Sequence, residues 1–393
     1  MNPDVSRLLF DDELRLRCGE CDAGYPFSAE WRGCPECAGT LHVVVPTTWF
    51  RDRVAAGTGG GQATAFPEAA TAETFGDGST PLRPAPALAA ATGAAEVWIK
   101  DETRNPTGSF KDRLNATATA AIGALGGDRV VASSTGNQAV SAVWFARRRG
   151  LRARAFLPVE VPGTAAGVVR IYGGEAEVVP WTERSGHVRA LVDEGWSYLG
   201  RNAPRPLANP YGIEGYKSIA VEIVAALGTV PDVVVMPACG GDGIAGLIRG
   251  FLALRASGVV DAVPHIVAVQ PESCPSLVRA LDAGATTVAA TPLGETIAHS
   301  LRDERAGDHA LWAMNAVGGT AVTVTDDELR SAMGSLGRLG VFAEPAGAAA
   351  LAGLPAALAS VPAPSAAARV VIVATGSGDR WPASLEATTE GSA

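Results

Sequence analysis

From residue 96 onward, short apolar runs alternate with longer stretches in which apolar positions recur every three or four residues. The runs are 96–100 (EVWIK), 130–134 (VVASS), 152–158 (RARAFLP), 176–181 (AEVVPW), 232–238 (DVVVMPA), 265–270 (HIVAVQ) and 369–375 (RVVIVAT). Their length and their Val/Ile content predict strands. The stretches between them predict helices over 111–124 and 137–149, near 163–173, 215–227 and 243–256, and over 326–339 and 345–359. The helix over 137–149 ends in three arginines, which suit the negative end of the helix dipole. Strands alternating with helices predict an α/β fold with a doubly wound parallel sheet. Ligands in such folds bind at the carboxyl ends of the strands. Before residue 96 the pattern differs. Residues 1–50 read as a separate arm, and 51–80, which include GTGGGQAT, read as a linker.

Composition narrows the classes. The 393 residues are 47% apolar and 19% charged, as in a globular protein, and the net charge of −9 argues against nucleic acid or an anionic membrane as partner. No apolar run is long enough to span a bilayer, and MNPDVSRLLFDDELRLR lacks the apolar centre of a signal peptide, so a cytoplasmic protein is expected. Four of the six cysteines form two pairs, Cys18-Gly-Glu-Cys21 and Cys34-Pro-Glu-Cys37, with twelve residues between. This spacing can set four thiolates around zinc. The alternative is an arm of the same shape without metal.

The chain has three lysines, Lys100, Lys111 and Lys217, against 29 arginines. One lies in NPTGSFKDR, after the strand 96–100. Lysine can form a Schiff base with an aldehyde cofactor and arginine cannot, because its guanidinium stays protonated. A chance surface lysine is the competing reading. A second loop, Ser133-Ser134-Thr135-Gly136-Asn137-Gln138, joins a strand to a helix start. Its hydroxyls and backbone N–H groups suit a small carboxylate, or simply cap the helix. The third, Cys239-Gly240-Gly241-Asp242-Gly243, suits a phosphate at a helix N-terminus. Gly241, Gly243 and Gly246 also match the dinucleotide pattern GxGxxG, but the following strand ends in Gln270 where a ribose-binding acid is required. A cofactor with a single phosphate fits better.

These three loops occur in order with Ala374-Thr375-Gly376-Ser377-Gly378. Together they resemble the threonine synthase branch of the fold-type-II pyridoxal phosphate (PLP) enzymes. Gly78-Ser79-Thr80-Pro81-Leu82, Asn209-Pro210-Tyr211-Gly212-Ile213-Glu214-Gly215 and Ala343-Glu344-Pro345-Ala346-Gly347-Ala348 extend the likeness over about residues 14–380. The resemblance implies a tryptophan-synthase-β-like fold with two parallel-sheet domains and a zinc-ribbon-like N-terminal arm. The arm would be 1–50, the linker and first part of the large domain 51–115, the small domain 116–204, and the rest of the large domain 205–393. It implies PLP as cofactor, a homodimer, and a small amino-acid substrate. By position, Lys111 is similar to the Schiff-base lysine and Phe110 to an aromatic residue near the pyridine ring. Asn137 matches the partner of the cofactor's 3′ oxygen, Thr375 the hydroxyl facing the pyridine nitrogen, and Gly240, Gly241, Asp242 and Gly243 the phosphate loop. Ser134, Thr135 and Gln138 fall in the substrate-carboxylate loop. Cys18, Cys21, Cys34 and Cys37 are the metal candidates.

The substrate region departs from the family. The helix near 163–173 carries Arg170 as its only cation, which makes Arg170 the expected substrate contact. In NPYGIEGYK, Gly212 stands where the family has arginine and Tyr216 where it has glutamine. Arg104, Arg113 and Lys217 complete the list of candidate phosphate-binding cations. Three readings follow. The first is a threonine-synthase-like enzyme acting on O-phosphohomoserine. The second is a PLP enzyme performing β-elimination or β-replacement, dehydratase-like or cysteate-synthase-like, in specialised metabolism. The third is a non-catalytic PLP- or zinc-binding regulatory protein.

Overall fold

The apolar runs pair into two separate parallel sheets. A computed structural model describes residues 5–29, 33–55, 75–160, 164–200, 209–361 and 367–380. The arm contains β1 (Arg15–Cys18), β2 (Gly24–Tyr25) and β3 (Leu41–Val44), an antiparallel sheet in the order β2-β1-β3, and then α1 (Thr47–Ala55). β4 (Leu82–Pro84), α2 (Pro86–Thr92), β5 (Glu96–Asp101) and α3 (Lys111–Ala124) follow. Next come β6 (Arg129–Ser133), α4 (Asn137–Arg148), β7 (Arg152–Pro158), α5 (Ala165–Ile171), β8 (Glu175–Val179), α6 (Arg184–Asp193) and β9 (Ser197–Tyr198). The chain continues through α7 (Pro210–Gly215), α8 (Lys217–Leu227), β10 (Val233–Pro237), α9 (Asp242–Ala256), β11 (His265–Pro271), α10 (Ser276–Asp282) and α11 (Asp308–Ala316). It closes with β12 (Thr320–Val324), α12 (Asp326–Arg338), α13 (Pro345–Ala352), α14 (Leu354–Ser360) and β13 (Arg369–Ala374).

The larger sheet has the order β12-β11-β10-β13-β5-β4, parallel except for β4, and the smaller has the all-parallel order β8-β7-β6-β9. All five residues of β10 are buried, as a central strand covered on both faces requires. Because β5, β13 and β10 are neighbours, the loops leaving their carboxyl ends are neighbours too. Among the described residues, no helix is long and apolar enough to cross a membrane.

Several elements differ from the sequence expectation. The helix expected over 345–359 is two helices broken at Gly353, where a Cβ would lie 2.8 Å from Val269 Cγ2. Pro355 then restarts the helix in its first turn. The helix expected near 215–227 is preceded by α7, which Asn209 caps by accepting from the backbone N–H of Tyr211 and Gly212, with Pro210 in the first turn. β12 and α6 carry no clear signal. β12 is a half-exposed edge strand, and α6 begins without a capping side chain. Most of the expected linker, 56–74, lies outside the described residues. Its two ends are structured: α1 runs to Ala55, and Gly78 donates its N–H to Asn105 Oδ1 (3.0 Å).

The arm is remote from the loops in sequence but packed against their scaffold. Arg249 of α9, buried, donates to Val43 O of β3 (3.1 Å) and to Glu214 Oε1 of α7 (2.8 Å). Lys217 pairs with the other oxygen of Glu214. Burial, against the pull of Glu214, brings the Lys217 ammonium down to about 8. Arg249 thus joins arm, α7 and α9 through Glu214, and Lys217, paired to the same carboxylate, does not line the cavity.

Candidate active site

Lys111 is the first residue of α3. The loop before it is held by Asp112, whose carboxylate accepts from Thr107 N–H (2.6 Å) and from the Thr107 hydroxyl at the positive end of the helix. Phe110 N–H donates to Thr375 O (2.9 Å) and Ser377 N–H to Gly108 O (2.8 Å). These backbone bonds lock the Lys111 loop to the loop after β13. The Lys111 ammonium lies 4.7 Å from the centroid of the Phe110 ring, and Tyr216 packs against that ring at 5.0 Å.

The glycine loop follows β10. Gly241 has φ +94°, a conformation that favours glycine, and begins α9, the longest described helix. A Cβ on Gly243 would lie 2.6 Å from the Phe110 ring, and one on Gly246 would lie 2.5 Å from Ile213 O. The GxGxxG pattern is thus accounted for by close packing of α9. Gln270 accepts from Leu277 and Val278 N–H at the start of α10, so it faces no ribose. The Asp242 carboxylate meets His309 Nε2 at 3.0 Å, so the groups at the helix start that suit an anion are its backbone N–H groups.

The loop after β6 faces these two across a cavity of about 300 Å³. Phe110, Lys111, Ser134, Thr135, Asn137, Gln138, Gly240–Gly243 and Thr375 all line it, although they come from two sheets. Asn137 Nδ2 donates to the buried Glu344 Oε1 (2.8 Å). The Gln138 amide is taken up by Leu199 O and by Asn115 (3.0 Å), and Asn115 in turn donates to Lys111 O (3.0 Å). Gln138 therefore braces the Lys111 backbone.

The expected phosphate-binding cations are elsewhere. Arg170 is exposed, donates to Ala176 O (2.9 Å) and does not line the cavity. Arg104 is exposed beside Asp101 at 3.7 Å. Arg113 is fully buried, forked onto Glu102 (2.7 Å twice) and bonded to Glu222, Ser218 and Thr80. Lys100 joins the same group through Glu222 and Thr80 O, both at 2.6 Å. Burial opposes ionisation of Glu102, but Arg113 and then Lys100 hold it down to about 2. Gly212 and Tyr216 do not line the cavity either. A Cβ on Gly212 would lie 2.7 Å from Leu114 Cγ, so Leu114 fills the space between this position and the cavity it lines. Among the described residues, the cations that do line it, besides Lys111, are Arg184 and Arg302, with His299 beside them. Neither arginine lies in a motif or a predicted element, so nothing in the sequence singled them out. Arg170→Ala is accordingly expected to change KM for any amino-acid substrate by less than about twofold, as for an exposed side chain without a ligand; steady-state kinetics check this.

In the arm, the four cysteine sulfurs lie within 4.8 Å of one another, with Cys18–Cys37 and Cys21–Cys34 at 3.5 Å. Zinc–sulfur bonds of about 2.3 Å separate tetrahedral ligands by about 3.8 Å, so the thiols fit a structural zinc. Metal analysis of reduced protein is expected to find about one zinc per chain. Cys18→Ser is expected to lower the unfolding midpoint more than it changes the cofactor spectrum, because Cys18 sits in the core shared by arm and α9.

A cleft between two parallel sheets, with a lysine, a hydroxyl and a glycine-rich helix start around it, defines an α/β enzyme that handles a phosphorylated aldehyde cofactor. Residues 73–376 match the pyridoxal-phosphate dependent enzyme family, and the chain belongs to it. It is 30% identical to the threonine synthase of Methanosarcina acetivorans over 86% of this chain and 85% of that protein. It is 34% identical to the threonine synthase of Synechocystis sp. over 78% of each. Maize serine racemase shares the fold, with a TM-score of 0.68 at 23% identity over 79% of this chain and 92% of that one. PLP is the cofactor, and the protein is a PLP-dependent, threonine synthase-like lyase. The residues present fit PLP: Gly240–Gly243 could offer N–H groups to its phosphate, and Lys111, Asn137 and Thr375 bring an amine, an amide and a hydroxyl to the same cavity.

Proposed function

We propose that the protein converts O-phosphohomoserine and water to threonine and inorganic phosphate. The observation that carries this reading is the likeness to threonine synthases over more than three-quarters of the chain, joined to a cavity with Lys111 in its wall. Bound PLP supplies the electron sink for carbanionic chemistry at the amino acid. Ser134 and Thr135 orient the substrate carboxylate at the start of α4. The Lys111 amine takes the proton from Cα and moves a proton at Cβ, acting as base and then acid. Phosphate leaves Cγ with its bonding pair and water adds its hydroxyl at Cβ; of the protons released from Cα, Cβ and water, one goes to Cγ to make a methyl group, one returns to Cα and one stays with phosphate. The Gln138–Asn115 bonds to the Lys111 backbone hold that amine in place, and Phe110 shields one side of it from water.

The test is incubation of purified, PLP-saturated protein with O-phosphohomoserine. Threonine and phosphate are expected in equal amounts. Rapid turnover of O-phosphoserine, O-phosphothreonine or an unphosphorylated hydroxy amino acid, with O-phosphohomoserine inert, would overturn the reading in favour of β-elimination or β-replacement.

A further inference from the structure

Trp181 precedes α6, and Arg184 is the first residue of that helix. Arg302 belongs to the segment before α11, on the side of the larger sheet. The two guanidinium carbons converge on one indole, Arg184 at 4.0 Å and Arg302 at 5.7 Å from the Trp181 ring. All three residues line the cavity that contains Lys111. Arg184 donates through Nε to Trp181 O (3.3 Å) and through Nη1 to Ser133 Oγ (3.5 Å). Arg302 donates through Nε to Gly294 O (2.9 Å) and through Nη2 to Glu295 Oε1 (2.6 Å), a carboxylate 84% exposed. Among the described residues, Arg184 has no ion-pair partner. Glu160, whose charge acts on Arg184, accepts from Trp181 N–H. On the side of the larger sheet, Asp303 and His299 stand beside Arg302 in the cavity wall.

Two guanidiniums that approach one half-buried ring put two positive charges on the cavity wall, and a dianion there could be met by both. Planar forks of this kind recognise phosphate oxygens in pairs. A second independent observation concerns the positions where a substrate phosphate contact was expected. Arg170 points to the outside, and the side-chain direction at Gly212 is filled by Leu114. Resting on the reading that the substrate is a phosphorylated amino acid, we propose that Arg184 and Arg302 form the subsite for its phosphate, bridging the two sides of the cleft across Trp181. The glycine loop holds the cofactor's own phosphate, so the two phosphates occupy different walls of one cavity.

The test uses PLP-saturated enzyme, so that the glycine loop is already filled. Calorimetric titration with inorganic phosphate, and KM for O-phosphohomoserine, are compared in wild type, R184Q, R302Q, R184K and R302K. L-threonine binding, read from the cofactor absorbance, is the unphosphorylated reference. Each glutamine variant is expected to weaken phosphate and raise KM by roughly 10- to 100-fold, the range for losing a charge-assisted contact. L-threonine affinity should fall far less, cofactor content should match wild type, and the lysine variants should recover part of the loss. Phosphate affinity within twofold of wild type in both glutamine variants would overturn the proposal. Equal weakening of phosphate and L-threonine would also overturn it, by assigning the arginines to the substrate carboxylate. If O-phosphohomoserine is inert while phosphate binding still depends on both arginines, the subsite stands and the proposed reaction falls. If O-phosphohomoserine turns over normally in both glutamine variants, the reaction stands and the subsite falls.

Discussion

Replacing Lys111 by alanine is expected to abolish turnover and the borohydride-fixable bond to PLP together. The loss of a group that serves as both covalent anchor and proton carrier is on the order of 10²–10⁴-fold or more. No other lysine can stand in. Lys100 is held by Glu222 and Thr80 O, and Lys217 by Glu214, both buried away from the cavity. Non-covalent PLP should remain, because the N–H groups of the α9 start do not depend on Lys111. Mass spectrometry of borohydride-treated protein provides the check. A lysine-linked cofactor adduct in the Lys111→Ala protein would show that the assignment is wrong.

The largest expected loss of stability comes from Arg113→Ala. Arg113 and Glu102 are both fully buried, and Glu222 is nearly so. Removing the arginine strands two carboxylates with only Lys100 between them. Breaking a buried pair in this way costs about 3–5 kcal/mol. Lysine at this position should recover only part, since it cannot fork onto Glu102 and reach Glu222 and Ser218 at once. The pH dependence follows from Glu102, held at about 2 against an ordinary value of 4.5. A depressed carboxylate contributes stability that is fully present above its unfolded value and is lost as pH falls through the folded one. In the native protein this contribution should therefore disappear between about pH 4.5 and 2. In Arg113→Ala, burial acts with little opposition and raises the carboxylates, so the acid limb should flatten or reverse. Urea unfolding midpoints across this range, with the slope unchanged, test both statements. Arg113 is two residues from Lys111, and the same network ties Thr80 and Glu222 to the α3 N-terminus, so the variant should also lower cofactor occupancy.

The cofactor chemistry could be read along the chain because each of its parts is local. A lysine after a strand, a hydroxyl-bearing turn before a helix and a glycine-rich helix start each declare themselves within five to ten consecutive residues. The strands β6, β10, β11 and β13 were readable for the same reason, being apolar runs buried along most of their length, and β5 and β7 were readable from shorter apolar runs. Half-exposed β12 carries no such run, and the close approach of Val269 to Gly353 comes from a strand distant in sequence. The Gly241–Gly243–Gly246 pattern has two readings, which Gln270 already separates in sequence. The structure adds what the glycines pack against, Ala310, Phe110 and Ile213. Charge was the least readable property. Arg113, Lys217 and Arg170 look alike as cations near motifs, yet one is buried between carboxylates, one binds the arm's scaffold and one faces outward. Arg184 and Arg302 are 118 positions apart and belong to no motif, and they meet only because both approach Trp181. The sequence alone determined the fold class and the cofactor and singled out the lysine and glycine-loop candidates, since backbone periodicity and covalent chemistry are local. Only the tertiary structure decided which cations line the cavity, because whether a long, flexible side chain is paired, buried or free depends on which residues the fold brings beside it.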